Sequence, residues 1–132
     1  MSANNDRIVS DELIYKGRVA EVHKIGLRMP DGKVVPRDLV RYHGATVVLP
    51  VLADGSIVLI RNYRFAVHEH LYELPAGMLE IDEDPQLCAG RELIEETGYT
   101  AGKIEPLGMF YTGPGTTDER MFAYLATDLT EG

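Results

Sequence analysis

The sequence has 132 residues, 45% of them hydrophobic, which is the length of one domain with enough apolar residues for a core. Its net charge of −8 argues against a nucleic-acid backbone as partner, because such binding depends on Lys and Arg neutralising phosphates. The single cysteine, Cys88, excludes an internal disulfide, no apolar run reaches the roughly 18 residues of a membrane span, and the start MSANNDR is too polar for a signal peptide. We therefore expect a cytoplasmic protein with no membrane partner.

The first forty residues favour a small antiparallel sheet. Residues 13–15 and 19–27 contain β-formers, and the turn Pro30-Asp31-Gly32 suits a hairpin that leads to a returning strand at 34–42. Such a thin sheet is not stable alone, so it must pack on the rest of the chain or on another subunit. We predict an N-terminal sheet at 1–42 and a main domain at 43–132.

The main domain is predicted to contain a mixed sheet and one helix, which places the chain in the α/β class. The apolar run at 45–52 is typical of a buried strand, and Asp54-Gly55 predicts a hairpin to a partner strand at 56–63. Pro75-Ala76-Gly77 reads as a turn. Further strands are predicted at 71–74, 104–112 and 121–126.

A helix is predicted from Asp84-Pro85 to Gly98, because Asp is a favoured N-cap, Pro a favoured first residue and Gly a favoured C-cap. Glu92, Glu95 and Glu96 share one face of it, since residues three and four apart are neighbours. These carboxylates repel one another and oppose the helix dipole. A hard divalent cation such as Mg²⁺ would offset both effects, whereas a solvated acidic face is the alternative for this segment alone.

The segment GMLEIDEDPQLCAGRELIEETGY, from Gly77 to Tyr99, fits the spacing Gly-x5-Glu-x7-Arg-Glu-U-x-Glu-Glu-x-Gly-U, in which U is aliphatic or aromatic. Seven fixed residues match by chance on the order of 10⁻⁸ per start position. The segment resembles a complete Nudix box, the signature of hydrolases that act on nucleoside diphosphates linked to another moiety. The resemblance implies the Nudix fold, an α/β/α sandwich with a mixed sheet.

Further segments resemble the ADP-ribose and nucleoside-diphosphate-sugar pyrophosphatase subgroup of that family. They are the approach Glu73-Leu74-Pro75-Ala76-Gly77, the proline Pro114 that follows the box by 15 residues, and an N-terminal stretch similar to the subgroup's swapped sheet. This resemblance implies a homodimer that hydrolyses the pyrophosphate bond of ADP-ribose or a related nucleoside diphosphate sugar with Mg²⁺, or with Mn²⁺ in its place.

The resemblance also implies roles for individual residues. Glu83 and Arg91 are expected to form an ion pair that orients the box, and a glutamate is expected to take the proton of the attacking water. The expected metal ligands are the carbonyl of Ala76 and the side chains of Glu92, Glu95 and Glu96. The expected substrate contacts are Arg41, Arg61, Arg64, Met78 and Pro114.

Other functions within and outside the enzyme class stay open. They are a GDP-mannose, other nucleotide-sugar or dinucleotide pyrophosphatase, a nucleoside triphosphate hydrolase, and a Nudix sensor that binds nucleotides without catalysis. The chain has no Trp, and the positions that stack adenine in some branches correspond to Val19 and Pro36. It ends at Gly132, before a segment of the subgroup that often carries the general base, so this role falls either to residues beyond the sequence or to a box glutamate.

Overall fold

The structure is a computed structural model that describes residues 7–132, which contain one α-helix. No helix among these residues is long and apolar enough to cross a membrane. The elements in chain order are β1 (Ile8–Lys16), β2 (Ala20–Arg28), β3 (Val34–Tyr42), β4 (Ala45–Pro50), β5 (Ile60–Arg64), β6 (Glu69–Glu73), β7 (Ala76–Met78), α1 (Pro85–Thr97), β8 (Tyr99–Tyr111) and β9 (Arg120–Glu131).

The chain divides into two compact units. The first runs to His43 and also takes in Tyr111–Glu119, and the second consists of Gly44–Phe110 with Arg120–Gly132. The loop around Pro114 therefore joins the N-terminal residues, although it lies far from them along the chain. The division of the chain into domains at residue 42 stays a prediction.

The first unit is built on the predicted antiparallel sheet, with strand order β1-β2-β3. Its second hairpin turns at Gly32, whose φ of 88° lies in the region that favours glycine. The loop that carries Pro114 is fastened to β3 by two backbone hydrogen bonds, from Val40 N to Thr116 O (2.8 Å) and from Asp118 N to Val40 O (3.3 Å). Every residue of β1 is exposed, and only one edge of this strand is paired within the described residues.

The second unit contains a four-stranded sheet of order β7-β4-β9-β8, with α1 packed on it. Strand β4 pairs parallel with β9 and antiparallel with β7. Its core consists of side chains from the sheet and the helix: Val48, Ala89, Leu93, Tyr124 and Ala126. The buried residues Ala89 and Leu93 lie three positions before Glu92 and Glu96, so these two glutamates border the packed side of α1, whereas Leu87 and Ile94 are exposed.

The helix begins and ends where the sequence predicts. Gly98 closes it with a φ of 79° and donates its backbone N–H to Ile94 O at 2.9 Å. Asp84 is the N-cap residue, but its side chain makes no capping hydrogen bond. The start therefore depends on the fixed φ of Pro85 rather than on the Asp side chain.

The hairpin predicted between residues 45–52 and 56–63 forms only next to its turn. The bridge from Val51 to Ile57 and backbone hydrogen bonds from Leu52 N to Ser56 O (2.8 Å) and from Val58 N to Pro50 O (3.0 Å) join the two segments, while β5 pairs antiparallel with β6. The hairpin does not extend further because residues 45–47 of β4 have both edges occupied, by β7 and β9. The turn predicted at Ala76-Gly77 is instead part of strand β7, which pairs with one edge of β4.

Candidate active site

The box helix α1 meets strand β7 through two glutamates. Glu96 Oε1 accepts a hydrogen bond from the backbone N–H of Ala76 at 2.8 Å. The carboxylate of Glu92 lies against Gly77, where it fills the space that a Cβ at this position would need. A side chain at position 77 is thus incompatible with the observed position of Glu92, which gives the first glycine of the box a physical role.

Arg91 connects the remaining carboxylates of the box. Its Nε and Nη2 donate to Glu83 Oε2 and Oε1 at 3.0 and 3.1 Å, so the ion pair expected between Glu83 and Arg91 is present. Its Nη1 donates to Glu92 Oε1 at 3.0 Å and to Glu95 Oε2 at 3.1 Å. One guanidinium therefore orients three carboxylates, and its hydrogen bonds lower the pKa of Glu83 to about 2.

Glu92 and Glu96 carry negative charge that the protein compensates only in part. Burial raises the pKa of both carboxyl groups above the usual value. Repulsion from neighbouring carboxylates, Glu95 for Glu92 and Glu92 for Glu96, acts in the same direction. Because these groups are hard oxygen donors whose ionised forms are disfavoured as they stand, their chemistry fits a divalent cation such as Mg²⁺.

The box glutamates provide the type of donor atom that Mg²⁺ prefers, but they are not arranged as a preformed metal site. Within residues 7–132, no three Asp, Glu, His or Cys side chains are gathered into a group that could hold a metal ion. Glu92 and Glu95 are turned towards Arg91, and Glu96 towards the amide of Ala76. Metal binding would have to exchange some of these hydrogen bonds for coordination, and the ligand set stays a prediction.

Cys88 lies beneath this network and is fully buried. Its Sγ contacts Thr46 Oγ1 at 3.3 Å and accepts from Arg91 Nη2 at 3.6 Å. Burial raises the pKa of the thiol, so the protonated form is favoured. Cys88 therefore packs under the box, where a buried, protonated thiol is a poor nucleophile.

The arginines of β5 are arranged differently from one another. Arg64 forms a bidentate ion pair with Glu73, from Nε to Oε2 at 2.7 Å and from Nη2 to Oε1 at 2.6 Å. Arg61 lies three positions earlier and so projects from the opposite face of the strand, across from Tyr72. The two predicted substrate contacts Arg61 and Arg64 therefore lie on opposite faces of β5. Met78, another predicted substrate contact, lies at the end of β7, two residues after Ala76.

Arg41 and Pro114 belong to the first unit, whereas the box belongs to the second. Arg41 pairs with Asp118 through Nη1 (3.2 Å) and with Asp11 through Nη2 (3.1 Å). Asp118 also accepts from the backbone N–H of Tyr42 at 3.0 Å. These carboxylates could not be predicted from the sequence, since nothing in the local pattern links Arg41 to Asp118, 77 residues away.

Comparison with known proteins agrees with the box and the fold. The NUDIX domain model matches residues 41–132. An ADP-ribose pyrophosphatase of Bacillus subtilis (strain 168) is 37% identical over 130 residues, which cover 98% of this chain and 70% of that protein. A GDP-mannose pyrophosphatase of Shigella flexneri is 34% identical over 132 residues, which cover 92% and 65%.

The fold is also that of a solved structure described as an ADP compounds hydrolase. The TM-score is 0.79 at 26% sequence identity, over 95% of this chain and 70% of the other. This likeness confirms the predicted Nudix fold. The chain spans about two thirds of the length of these relatives. The box, the fold and these matches together show that the chain belongs to the NUDIX family of pyrophosphohydrolases.

Proposed function

We propose that this protein hydrolyses the pyrophosphate bond of ADP-ribose, or of a related nucleoside diphosphate sugar, with Mg²⁺. The products are AMP, or another nucleoside monophosphate, and a sugar phosphate. The observation that carries the proposal is the pair of half-buried carboxylates, Glu92 and Glu96, packed against Ala76 and Gly77. The similarity to an ADP-ribose pyrophosphatase supports the choice of substrate.

The residues that would hold the metal are Glu92, Glu95 and Glu96, with the carbonyl of Ala76. Bound there, a divalent cation neutralises phosphate oxygens and lowers the pKa of a water molecule. Arg91 keeps Glu92 and Glu95 on the same side of the helix, and Glu83 fixes Arg91 in turn. A box glutamate accepts the proton of the attacking water.

Arg64 and Arg41 are each proposed to bind a phosphate of the substrate. The planar guanidinium suits both, because it donates two parallel hydrogen bonds to a phosphate. Arg41 would have to exchange its contacts with Asp11 or Asp118 for contacts with the substrate. Arg61 is not part of this proposed pair, since it lies on the opposite face of β5 from Arg64.

GDP-mannose is the second candidate substrate, favoured by the similarity to a GDP-mannose pyrophosphatase. Both candidates share the pyrophosphate and differ in base and sugar, so the box alone does not distinguish them. A sensor without catalysis is disfavoured, because every charged residue of the box is present and Arg91 joins Glu83, Glu92 and Glu95 into one network.

The proposed assembly is a homodimer formed through the N-terminal sheet. Strand β1 is an edge strand of nine residues, exposed throughout, and its apolar side chains include Ile8, Leu13 and Ile14. Long apolar edge strands pair with other chains unless they are covered. A second copy of the chain would cover this edge, in keeping with the swapped sheet that the sequence resembles.

The proposal is tested by a hydrolysis screen with ADP-ribose, GDP-mannose, NADH, a dinucleoside polyphosphate and 8-oxo-dGTP, each with Mg²⁺ and with EDTA. We expect Mg²⁺-dependent release of AMP from ADP-ribose at the highest kcat/KM. A higher kcat/KM for GDP-mannose would identify that compound as the substrate in place of ADP-ribose and would leave the proposed reaction unchanged. No turnover of any of these compounds by the folded protein would overturn the proposed function.

A further inference from the structure

The ion pair between Arg64 and Glu73 does not follow the pairing of its two strands. In the β5–β6 hairpin Arg64 lies opposite Glu69, whereas Glu73 lies opposite Ile60, four residues away along the strand. Arg64, Glu69 and Glu73 all project from the same face, because alternate residues of a strand share a face. Arg64 is bonded to the distant glutamate and not to its direct neighbour. Its side chain therefore runs back along the hairpin.

The geometry leaves one side of the guanidinium open. Glu73 occupies the edge formed by Nε and Nη2, at 2.7 and 2.6 Å. Nη1 makes no hydrogen bond with any described residue, and the Arg64 side chain is 49% exposed. An arginine has a second edge, formed by its two terminal nitrogens, that can bind a phosphate in the same two-pronged manner. That edge of Arg64 is accessible while the other fixes its orientation.

The position of Glu73 links this arginine to the box. Glu73 is the last residue of β6 and comes three residues before Ala76, whose amide binds Glu96. The negative charge of Glu96 contributes to raising the pKa of Arg64, after the larger effect of the Glu73 hydrogen bonds. Arg64 and Glu96 are thus bound by residues only three positions apart along the chain, Glu73 and Ala76.

We propose that Glu73 is a positioning residue, which draws Arg64 back along the hairpin so that its free edge binds a phosphate oxygen of a pyrophosphate held at the box. This inference rests on the proposed function and adds to it the residue that sets the position of Arg64. The competing view is that Glu73 only joins the two strands of the hairpin. An exposed ion pair with that role alone contributes little to stability.

The two views are separated by a double-mutant cycle on ADP-ribose hydrolysis with Glu73→Gln, Arg64→Ala and the double variant. If Glu73 acts through Arg64, Glu73→Gln raises KM about tenfold in the wild-type background, since a charge-assisted bond to the phosphate is lost. The same change then has less than about twofold effect once Arg64 is Ala, because its target is gone. Arg64→Lys, which keeps the charge but lacks the fork, should raise KM as much as Glu73→Gln.

Glu69→Gln is the matched control, since Glu69 is the direct cross-strand neighbour of Arg64 and makes no ion pair with the described residues. We expect its kinetics to equal those of the wild type. NMR of the Arg64 Nε–Hε group gives a readout independent of activity. The resonance should move strongly in Glu73→Gln and remain in place in Glu69→Gln, with equal melting temperatures for both.

An active wild type in which Glu73→Gln and Arg64→Ala have additive effects would overturn this inference and leave the proposed function intact. An Arg64 resonance that is unaffected by Glu73→Gln would overturn it as well. If the folded wild type hydrolyses none of the pyrophosphate compounds, the proposed function fails first, and the inference fails with it.

Discussion

The carboxylate of Glu92 lies in the space that a side chain at Gly77 would occupy. The Gly77→Ala variant must therefore move either Glu92 or strand β7. We expect a loss of kcat/KM of at least about tenfold, because small displacements of reacting groups are costly. Activity and melting temperature are measured together, so that loss of the site is separated from loss of the fold.

Gly90→Ala is the control for this substitution. Gly90 lies on the same helix, and an added Cβ would meet only the end of the Ile104 side chain, at 3.3 Å. Alanine also favours a helix by roughly 1 kcal/mol over glycine. Its activity should therefore stay within about twofold of the wild type. Equal activity of Gly77→Ala and the wild type would show that Glu92 does not need its observed position.

The ion pair between Glu83 and Arg91 predicts sensitivity to acid. Hydrogen bonds from Arg91 lower the pKa of Glu83 from 4.5 to about 2 in the folded protein. A carboxyl group with a lowered folded pKa contributes stability that is fully present above its unfolded pKa and is lost as the pH falls towards the folded value. The wild type should thus lose stability between pH 4.5 and about 2 more steeply than Glu83→Gln. Urea unfolding at several pH values measures this difference, and parallel curves would contradict it.

His23 predicts a dependence of the opposite sign. Its Nε2 contacts Glu21 at 2.9 Å and its Nδ1 contacts Asp11 at 2.6 Å, and these carboxylates raise the pKa of the imidazole above 6.5. A raised folded pKa contributes stability that is present below pH 6.5 and is lost as the pH rises through the folded value. NMR titration of the ring protons should give a pKa above 6.5 that falls in Asp11→Asn. A pKa at or below 6.5 in the wild type would refute the contact.

The proposed dimer predicts that a charge on strand β1 weakens association. Ile14, on β1, has 55% of its surface exposed, and Ile57, in the other unit, has 52%. Ile14→Lys should raise the dimer dissociation constant by at least about tenfold, since edge-strand lysines oppose strand pairing. Ile57→Lys should leave it unchanged. Analytical ultracentrifugation compares them, and a wild type that is monomeric at micromolar concentration would overturn the dimer.

Local signals predicted the box helix well. Pro85 and Gly98 fix its ends through their own backbone preferences, and the spacing of Glu92 and Glu96 fixes the face on which they lie. The contacts of these glutamates with Ala76 and Gly77 form only when α1 packs beside β7. They depend on tertiary structure, which spacing along the chain does not encode.

Strand pairing was predicted less well, for the same reason. The local signal at Asp54-Gly55 correctly predicts a turn, but the hairpin stops after a few residues because β7 and β9 occupy both edges of β4 at residues 45–47. The partner of Arg64 could not be read from the sequence either. Cross-strand register points to Glu69, and only the path of the side chain leads to Glu73.

In the proposed function, the box glutamates provide Mg²⁺-dependent hydrolysis of a pyrophosphate. The most direct measurement is the rate of AMP release from ADP-ribose by the wild type and by Glu96→Gln, side by side over a range of Mg²⁺ concentrations. Glu96→Gln keeps the shape of the side chain and its bond to the Ala76 amide, so the fold should be retained while the rate falls by about 10²-fold or more, as expected when a group that stabilises developing charge is lost. A folded Glu96→Gln protein that releases AMP at nearly the wild-type rate would contradict the account.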